Sequence, residues 1–150
     1  EEGNAVVDEI KSAGGEAIFV KTDLTKFDEV QKMVDETIKK FGKVDILITN
    51  AGWDEIKFFI EQTPEDWELM INLNLKHHIY CCKAVLPQMI EQRYGKIVMC
   101  SSDAARGGNP GDSIYSACKG GVISFTKTLA REMGRYNIKK IIKYPVPYRK

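Results

Sequence analysis

The 150-residue sequence lacks the features that mark several large classes of protein. No apolar run is long enough to span a bilayer, and the acidic N-terminus is unlike a signal peptide. Neither sign of charge dominates, because the formal net charge is +1 and basic and acidic residues are intermixed. Without a basic stripe, binding to nucleic acid or to an anionic membrane has no electrostatic basis. We therefore expect a cytoplasmic protein without a nucleic-acid or membrane partner.

Cysteine and histidine are also scarce. The four cysteines, at positions 81, 82, 100 and 118, form no C-x-x-C pair and have no partnering histidine cluster. This pattern predicts reduced thiols rather than a disulfide framework or a metal centre. His77 and His78 are the only histidines. Because adjacent residues on a helix project in different directions, we expect the two rings not to face each other and not to bind a metal.

The composition that remains is that of one ordinary globular domain, with 43% hydrophobic and 29% charged residues. The apolar spacing predicts helices over about 1–13, 26–41, 63–93 and 112–135, and strands over 16–21, 44–49, 96–101 and 138–142. Pro87 is expected to kink or interrupt the third helix. The alternating order predicts an α/β fold, a doubly wound parallel sheet whose strands are covered on both faces.

Polar residues follow three of the predicted strands, where ligands bind in such sheets. They are Asp23, Asn50 and Ser102. Tyr115 and Lys119 stand four apart on the last long helix and therefore share a face. An ammonium beside a phenol favours the phenolate, which can act as a general acid or base. With Ser102 on the same substrate oxygen, this pair would interconvert an alcohol and a carbonyl, although Tyr-x-x-x-Lys alone is also typical of a solvated helix face.

Five ordered stretches resemble the short-chain dehydrogenase/reductase family over nearly the whole chain. They are T-D-L-T at 22–25, D-I-L-I-T-N-A-G at 45–52, I-N-L-N-L-K at 71–76, G-K-I-V-M-C-S-S at 95–102 and Y-S-A-C-K-G-G at 115–121. Within the family, N-A-G-W-D at 50–54 and S-D-A-A-R at 102–106 are most similar to alicyclic hydroxyacyl-CoA dehydrogenases, of the 2-hydroxycyclohexanecarboxyl-CoA type. The 3-oxoacyl-carrier-protein reductases are also similar.

The resemblance implies a single partial Rossmann-type domain over residues 1–150. It further implies an oxidoreductase that uses NAD, with NADP left open, to interconvert a secondary alcohol and a ketone. The small-molecule substrate it suggests is a hydroxyacyl thioester such as an acyl-CoA. The family's main subunit interface uses the two long C-terminal helices, so the resemblance also implies a homo-oligomer, a tetramer.

The resemblance carries catalytic roles onto four residues. Tyr115 would be the acid/base, and Lys119 would support it and bind the nicotinamide ribose. Ser102 would orient the substrate oxygen. Asn74 would hold a helix kink and a water of the proton relay, since a side-chain amide both donates and accepts; the alternative is a helix-interior asparagine that faces solvent.

Binding roles are implied for a second group of residues. Besides Tyr115 and Lys119, those expected at the cofactor are Asp23, Leu24, Asn50, Ala51 and Gly52, the first two beside the adenine. Besides Ser102 and Tyr115, the residues expected at the substrate are Trp53, Asp54, Asp103 and Arg106, for which the alternative is an ordinary solvated loop residue. For Asp23 and Asn50 the alternative is an ordinary turn residue.

Two parts of the family pattern are missing from the sequence. The first is the N-terminal strand, the Gly-rich turn, the following helix and the second strand; those glycines let backbone N–H groups meet the cofactor pyrophosphate. The loop at 107–111 does not replace them, because it lacks the G-x-G-x-x-G spacing. The second is the C-terminal lid, since the chain reads N-I-K-K-I-I-K-Y-P-V-P-Y-R-K from Asn137.

Two classes of function therefore stay open. One is an oxidoreductase whose longer form moves hydride between a nicotinamide and the substrate. The other is a non-catalytic truncated fragment that keeps the catalytic wall and the interface helices but cannot bind a dinucleotide.

Overall fold

The structure, a computed structural model, describes residues 2–143, with only the backbone of Ile141 and Lys143. The helices are α1 (Glu2–Ser12), α2 (Phe27–Phe41), α3 (Pro64–Ile71), α4 (His77–Glu91), α5 (Ala104–Gly107) and α6 (Ser113–Met133). A π-helical turn (Asn72–Lys76) joins α3 to α4, and short 3₁₀ turns cover Phe59–Glu61 and Gly134–Tyr136. The strands are β1 (Ile46–Thr49), β2 (Gly95–Cys100) and β3 (Ile138–Lys143).

The sheet is parallel throughout and has the order β1-β2-β3. Its register aligns Ile48 with Val98 and Val98 with Ile141. Strands joined through helices in this way confirm the predicted α/β class. The expected absence of a C-terminal lid concerns residues after Lys143, which lie outside the described range. No helix between residues 2 and 143 is long and apolar enough to cross a membrane.

The main core lies between the sheet and helices α4 and α6. Ile97 and Met99, on one face of β2, are fully buried beside Val85 of α4 and Val122 of α6. A second apolar cluster joins α2 to α4 through Val30, Val34, Cys81 and Ala84. All four cysteines are free thiols, as predicted. These two apolar clusters therefore hold the carboxyl ends of β1 and β2 in place beside the start of α6.

Two sequence predictions about strands are wrong for the described residues. Residues 16–21 form no strand, and Ile18 and Phe19 are 37% and 50% exposed. A strand needs a neighbour that takes its backbone hydrogen bonds, and the only described strand beside β1 is β2. The other error concerns β1, whose Ile46 and Ile48 are 54% and 63% exposed, so this strand is not covered on both faces.

The long central helix begins as predicted and is irregular at Asn74, where the resemblance placed a kink, but not at Pro87. The Thr63 hydroxyl accepts from the Asp66 N–H at 3.3 Å and the Asp66 carboxylate accepts from the Thr63 N–H at 2.8 Å, which forms a capping box. α4 runs without interruption through Pro87, because the carbonyl that loses its partner belongs to the solvent-exposed Lys83. The irregularity is instead the π-helical turn that contains Asn74. Such turns are frequent at functional sites.

Candidate active site

An open cleft lies beyond the carboxyl ends of β1 and β2. Its lining residues come from the loop after β1, the end of β2 and the first turns of α6; they are Asn50, Gly52, Trp53, Asp54, Cys100, Ser101, Tyr115 and Lys119. Six of these were predicted site residues. Cys100 and Ser101 were not predicted, although their place at the end of a strand, just before Ser102, could have indicated them.

Tyr115 and Lys119 lie together on the cleft side of α6, as their spacing predicted. The Lys119 ammonium is 5.5 Å from the centroid of the Tyr115 ring. Lys119 is only 4% exposed, and its Nζ donates one long hydrogen bond, of 3.4 Å, to the Cys100 carbonyl. Burial lowers the pKa of Lys119, while Cys100, Cys118 and Asp54 oppose that shift. The arrangement places a desolvated cation beside a phenol, where its electrostatic effect is strongest.

Ser101 fixes the backbone of Lys119. Its hydroxyl is buried and donates to the Lys119 carbonyl at 2.9 Å, which ties the end of β2 to α6. The neighbouring Ser102 is half-buried, and its Oγ accepts from the Ala104 N–H at 3.2 Å. Accepting that bond leaves the Ser102 hydroxyl hydrogen available to a substrate oxygen.

Asn74 is fully buried and is joined to the loop after β1. Its Nδ2 donates to the Trp53 carbonyl at 2.7 Å and to the Met70 carbonyl at 3.1 Å, and its Oδ1 accepts from the Trp53 N–H at 3.3 Å. The alternative of a solvent-facing asparagine is therefore wrong. The amide holds the peptide of Trp53, and with it the loop, against the π-helical turn.

Gly52 lies beside both the Asn74 amide and the Lys119 ammonium. A Cβ at this position would lie 3.0 Å from Asn74 Oδ1 and 3.4 Å from Lys119 Nζ. The absence of a side chain leaves room for a ligand beside the ammonium, which has three donors and makes one long bond to the protein. Asn50, Ala51 and Gly52 are all exposed here. An ammonium with free donors beside an open segment fits the ribose and nicotinamide part of a dinucleotide.

Of the predicted substrate residues, Trp53 and Tyr115 line the cleft, whereas Ser102, Asp103 and Arg106 are not among its lining residues. Trp53, 41% exposed, is in its wall, whereas Asp103 and Arg106 are exposed on the segment around α5. Asp54 also lines the cleft, and burial first, then the charge of Asp112, raises the pKa of its carboxyl. A backbone hydrogen bond of 3.1 Å from Lys57 to the Gly111 carbonyl joins this loop to the one before α6.

The two predicted adenine residues form a turn. Asp23 accepts from the Thr25 hydroxyl at 2.7 Å and from the Thr25 N–H at 3.0 Å, and it pairs with Lys26 at 3.2 Å. These bonds, chiefly the one from the Thr25 hydroxyl, lower the pKa of Asp23. Leu24 packs against the cluster between α2 and α4. The geometry is that of a turn carboxylate, and the role of both residues at adenine stays a prediction.

The prediction that His77 and His78 do not face each other is wrong. Both residues begin α4 directly after the π-helical turn, their ring centroids are 3.8 Å apart, and they are 1% and 0% exposed. Burial lowers the pKa of His77 to about 4 and that of His78 to about 2, and the Lys119 charge adds to both shifts. Within residues 2–143, no three His, Cys, Asp or Glu side chains are grouped so as to hold a metal ion.

Comparison with known proteins places this geometry among dehydrogenases. The sequence model of the short-chain dehydrogenase family matches residues 1–147. A 3-oxoacyl-(acyl-carrier-protein) reductase of Synechocystis is 43% identical over 130 residues, which are 87% of this chain and 53% of that protein. One from Staphylococcus epidermidis is 39% identical over 138 residues, 92% of this chain and 57% of that protein. The chain thus spans about half the length of the curated relatives it matches.

Solved structures agree with the sequence matches. An NAD⁺-bound xylitol dehydrogenase superposes with a TM-score of 0.89 at 30% identity, over 95% of this chain and 56% of that one. A metagenomic short-chain oxidoreductase in complex with NADP gives a TM-score of 0.90 at 28% identity, over 95% of this chain and 65% of that one.

Proposed function

The chain belongs to the short-chain dehydrogenase family, and we propose that it carries the catalytic cleft of an NAD(P)-dependent oxidoreductase that interconverts a secondary alcohol and a ketone. The observation that carries the proposal is the buried Lys119 ammonium, 5.5 Å from the Tyr115 ring in an open cleft. Burying a cation costs free energy, and buried charged groups in clefts are frequent at functional sites. Here the buried cation lies beside a phenol that can act as a general acid or base.

The proposed mechanism assigns one task to each residue. When bound, the nicotinamide supplies or accepts the hydride. In alcohol oxidation the Tyr115 phenolate removes the hydroxyl proton, and in ketone reduction the phenol returns it. The Lys119 ammonium and the Ser102 hydroxyl stabilise the negative charge that develops on the substrate oxygen. Asn74 keeps the loop that carries Gly52 and Trp53 in place through the peptide of Trp53.

For the substrate we propose a 3-oxoacyl or hydroxyacyl thioester. Two observations support this class: the names of the curated relatives, which are 3-oxoacyl-(acyl-carrier-protein) reductases, and the N-A-G-W-D and S-D-A-A-R stretches, which resemble hydroxyacyl-CoA dehydrogenases. For the cofactor we propose NAD on the second resemblance, with NADP as the alternative. A homo-oligomer formed through α4 and α6 remains part of the proposal.

Substitution of the acid/base tests the proposal. Tyr115→Phe removes one hydroxyl, so reduction of a 3-oxoacyl thioester should fall by roughly 10²- to 10⁴-fold while NAD(P)H affinity stays within about twofold. Tyr80→Phe is the matched control, because Tyr80 packs edge-on against Phe27 and does not line the cleft. Full turnover by Tyr115→Phe would refute the catalytic assignment. Failure of the unsubstituted chain to bind either nicotinamide would favour the non-catalytic alternative.

A further inference from the structure

A buried hydrogen bond lies behind the loop that lines the cleft. The Thr49 hydroxyl, at the last position of β1, is 2.6 Å from Nδ1 of His78 on α4. Thr49 is 4% exposed and His78 is fully buried. A hydrogen bond sequestered from water cannot be replaced by solvent, so losing one partner costs more than the same loss at the surface.

This bond lies directly before the segment Asn50–Gly52, which contributes to the cleft. Asn50, Ala51 and Gly52 follow Thr49 without an intervening residue. Among the described strands, β1 has only β2 as a neighbour, so its other edge gives the end of the strand no support. Gly52 must nevertheless stay close enough to Asn74 and Lys119 that a single methyl group would contact both. The bond to His78 fixes one end of this short segment, and the bonds between Asn74 and Trp53 fix the other end.

We propose that the Thr49–His78 hydrogen bond is a latch that positions Asn50–Gly52 for the nicotinamide end of the cofactor. Thr49 and His78 are positioning residues, because they act through the segment that follows and do not line the cleft. The inference rests on the proposed function only for the identity of the ligand. That the latch orders the segment is a separate claim about the protein without a ligand.

The chemistry of the pair suits a permanent bond rather than a titrating one. A neutral imidazole offers one acceptor nitrogen and one donor nitrogen, and a hydroxyl can satisfy either. Within the described chain, Nε2 of His78 has no hydrogen-bond partner. Thr49 is therefore the group that fixes the orientation of the His78 ring beside that of His77.

Nuclear magnetic resonance tests the latch directly, because the chain contains only two histidines. The variants are Thr49→Val, which keeps the shape and removes the hydroxyl, and Thr49→Ser, which restores a hydroxyl. His78→Asn places an amide near the site of Nδ1 as a second conservative change. Thr126→Val is the matched control, since Thr126 is a buried threonine whose hydroxyl donates to the Val122 carbonyl of its own helix.

The latch predicts a local effect that a general loss of stability would not produce. Thr49→Val should shift the ring ¹⁵N signals of His78 and speed amide hydrogen exchange by roughly 10-fold at Trp53, whose N–H ends the segment and donates to Asn74, as expected from about 1.4 kcal/mol for one buried hydrogen bond. Thr49→Ser and His78→Asn should retain most of that protection. Thr126→Val should leave both readouts unchanged. Exchange at Trp53 that rises equally in Thr49→Val and Thr126→Val would overturn the proposal.

Titration with NADH separates the latch from the proposed function. If the chain binds NADH, Thr49→Val should weaken binding by roughly 10-fold while Thr126→Val does not, and equal affinities would refute the positioning role. If the chain binds no nicotinamide, the proposed function fails, while the exchange data still decide whether the latch orders the segment.

Discussion

The buried histidine pair makes acid destabilisation a sharp prediction. Folded His77 and His78 have pKa values of about 4 and about 2, against 6.5 for an unfolded histidine. Both are therefore neutral in the folded protein at pH 5, while both are charged in the unfolded chain. Because the unfolded state then binds more protons, the free energy of unfolding must fall as pH falls below 6.5.

The size of the effect follows from linkage. Between pH 7.5 and pH 5, each ring should lose about 2 kcal/mol of stability, so the pair should lose about 4 kcal/mol. This is a large part of the 5–15 kcal/mol that typically stabilises a domain. The pKa values of Asp23, Glu29 and Asp66 are lowered in the folded protein. The stability that these carboxylates contribute is lost only at more acidic pH, as pH falls through their lowered pKa values.

Urea denaturation at pH 7.5, 6.5, 5.5 and 5.0, followed by the fluorescence of Trp53 and Trp67, measures the loss. The double variant His77→Leu/His78→Leu should have a nearly flat profile over this range, and His78→Asn alone should retain about half of the slope. The opposing result is a free energy of unfolding that changes by less than about 1 kcal/mol between pH 7.5 and 5 in the unsubstituted chain. That result would refute the claim that both rings are buried and neutral in the folded protein. The rings would then be hydrated or charged, and the packing described around them would be wrong.

Two further substitutions probe the cleft itself. Burial lowers the pKa of Lys119, so below that lowered pKa the folded protein bears the full cost of burying the charge, and the cost fades as pH rises toward 10.5. Lys119→Met should therefore raise the free energy of unfolding at pH 7 by about 0.5–2 kcal/mol in urea denaturation while it weakens NADH binding; a loss of stability would contradict the described burial. Gly52→Ala should lower stability by about 1–3 kcal/mol in the same assay and weaken NADH binding, because its methyl group would lie 3.0 Å from Asn74 Oδ1. Gly107→Ala is the control, with no atom within 4 Å of its added methyl, and equal effects from the two alanines would rule out crowding at Gly52.

Local spacing allowed the sequence to predict the centre of the site. Tyr115 and Lys119 meet because four residues make about one helical turn, and Asn50 lies at the cleft because it follows a strand of the parallel sheet. The capped start of α3 was predictable for the same reason, since a capping box is formed by residues three apart.

Features that depend on distant partners could not be predicted. The hydrogen bond between Thr49 and His78 requires α4 to pack on β1. The strand predicted at 16–21 has suitable residues but no neighbouring described strand to pair with. The resemblance placed a helix kink at Asn74, but the uninterrupted course of α4 through Pro87 depends on whether the freed Lys83 carbonyl reaches solvent.

A titration of the 150-residue chain with NADH, with NADPH in parallel, tests the central claim most directly. Calorimetry would follow binding, and Lys119→Met would serve as the variant in which the cleft is altered. We expect saturable binding of at least one nicotinamide with a Kd in the micromolar range, and weaker binding by Lys119→Met. The absence of binding at millimolar concentrations of both cofactors would contradict it, and the chain would then be a domain that keeps the cleft but holds no dinucleotide.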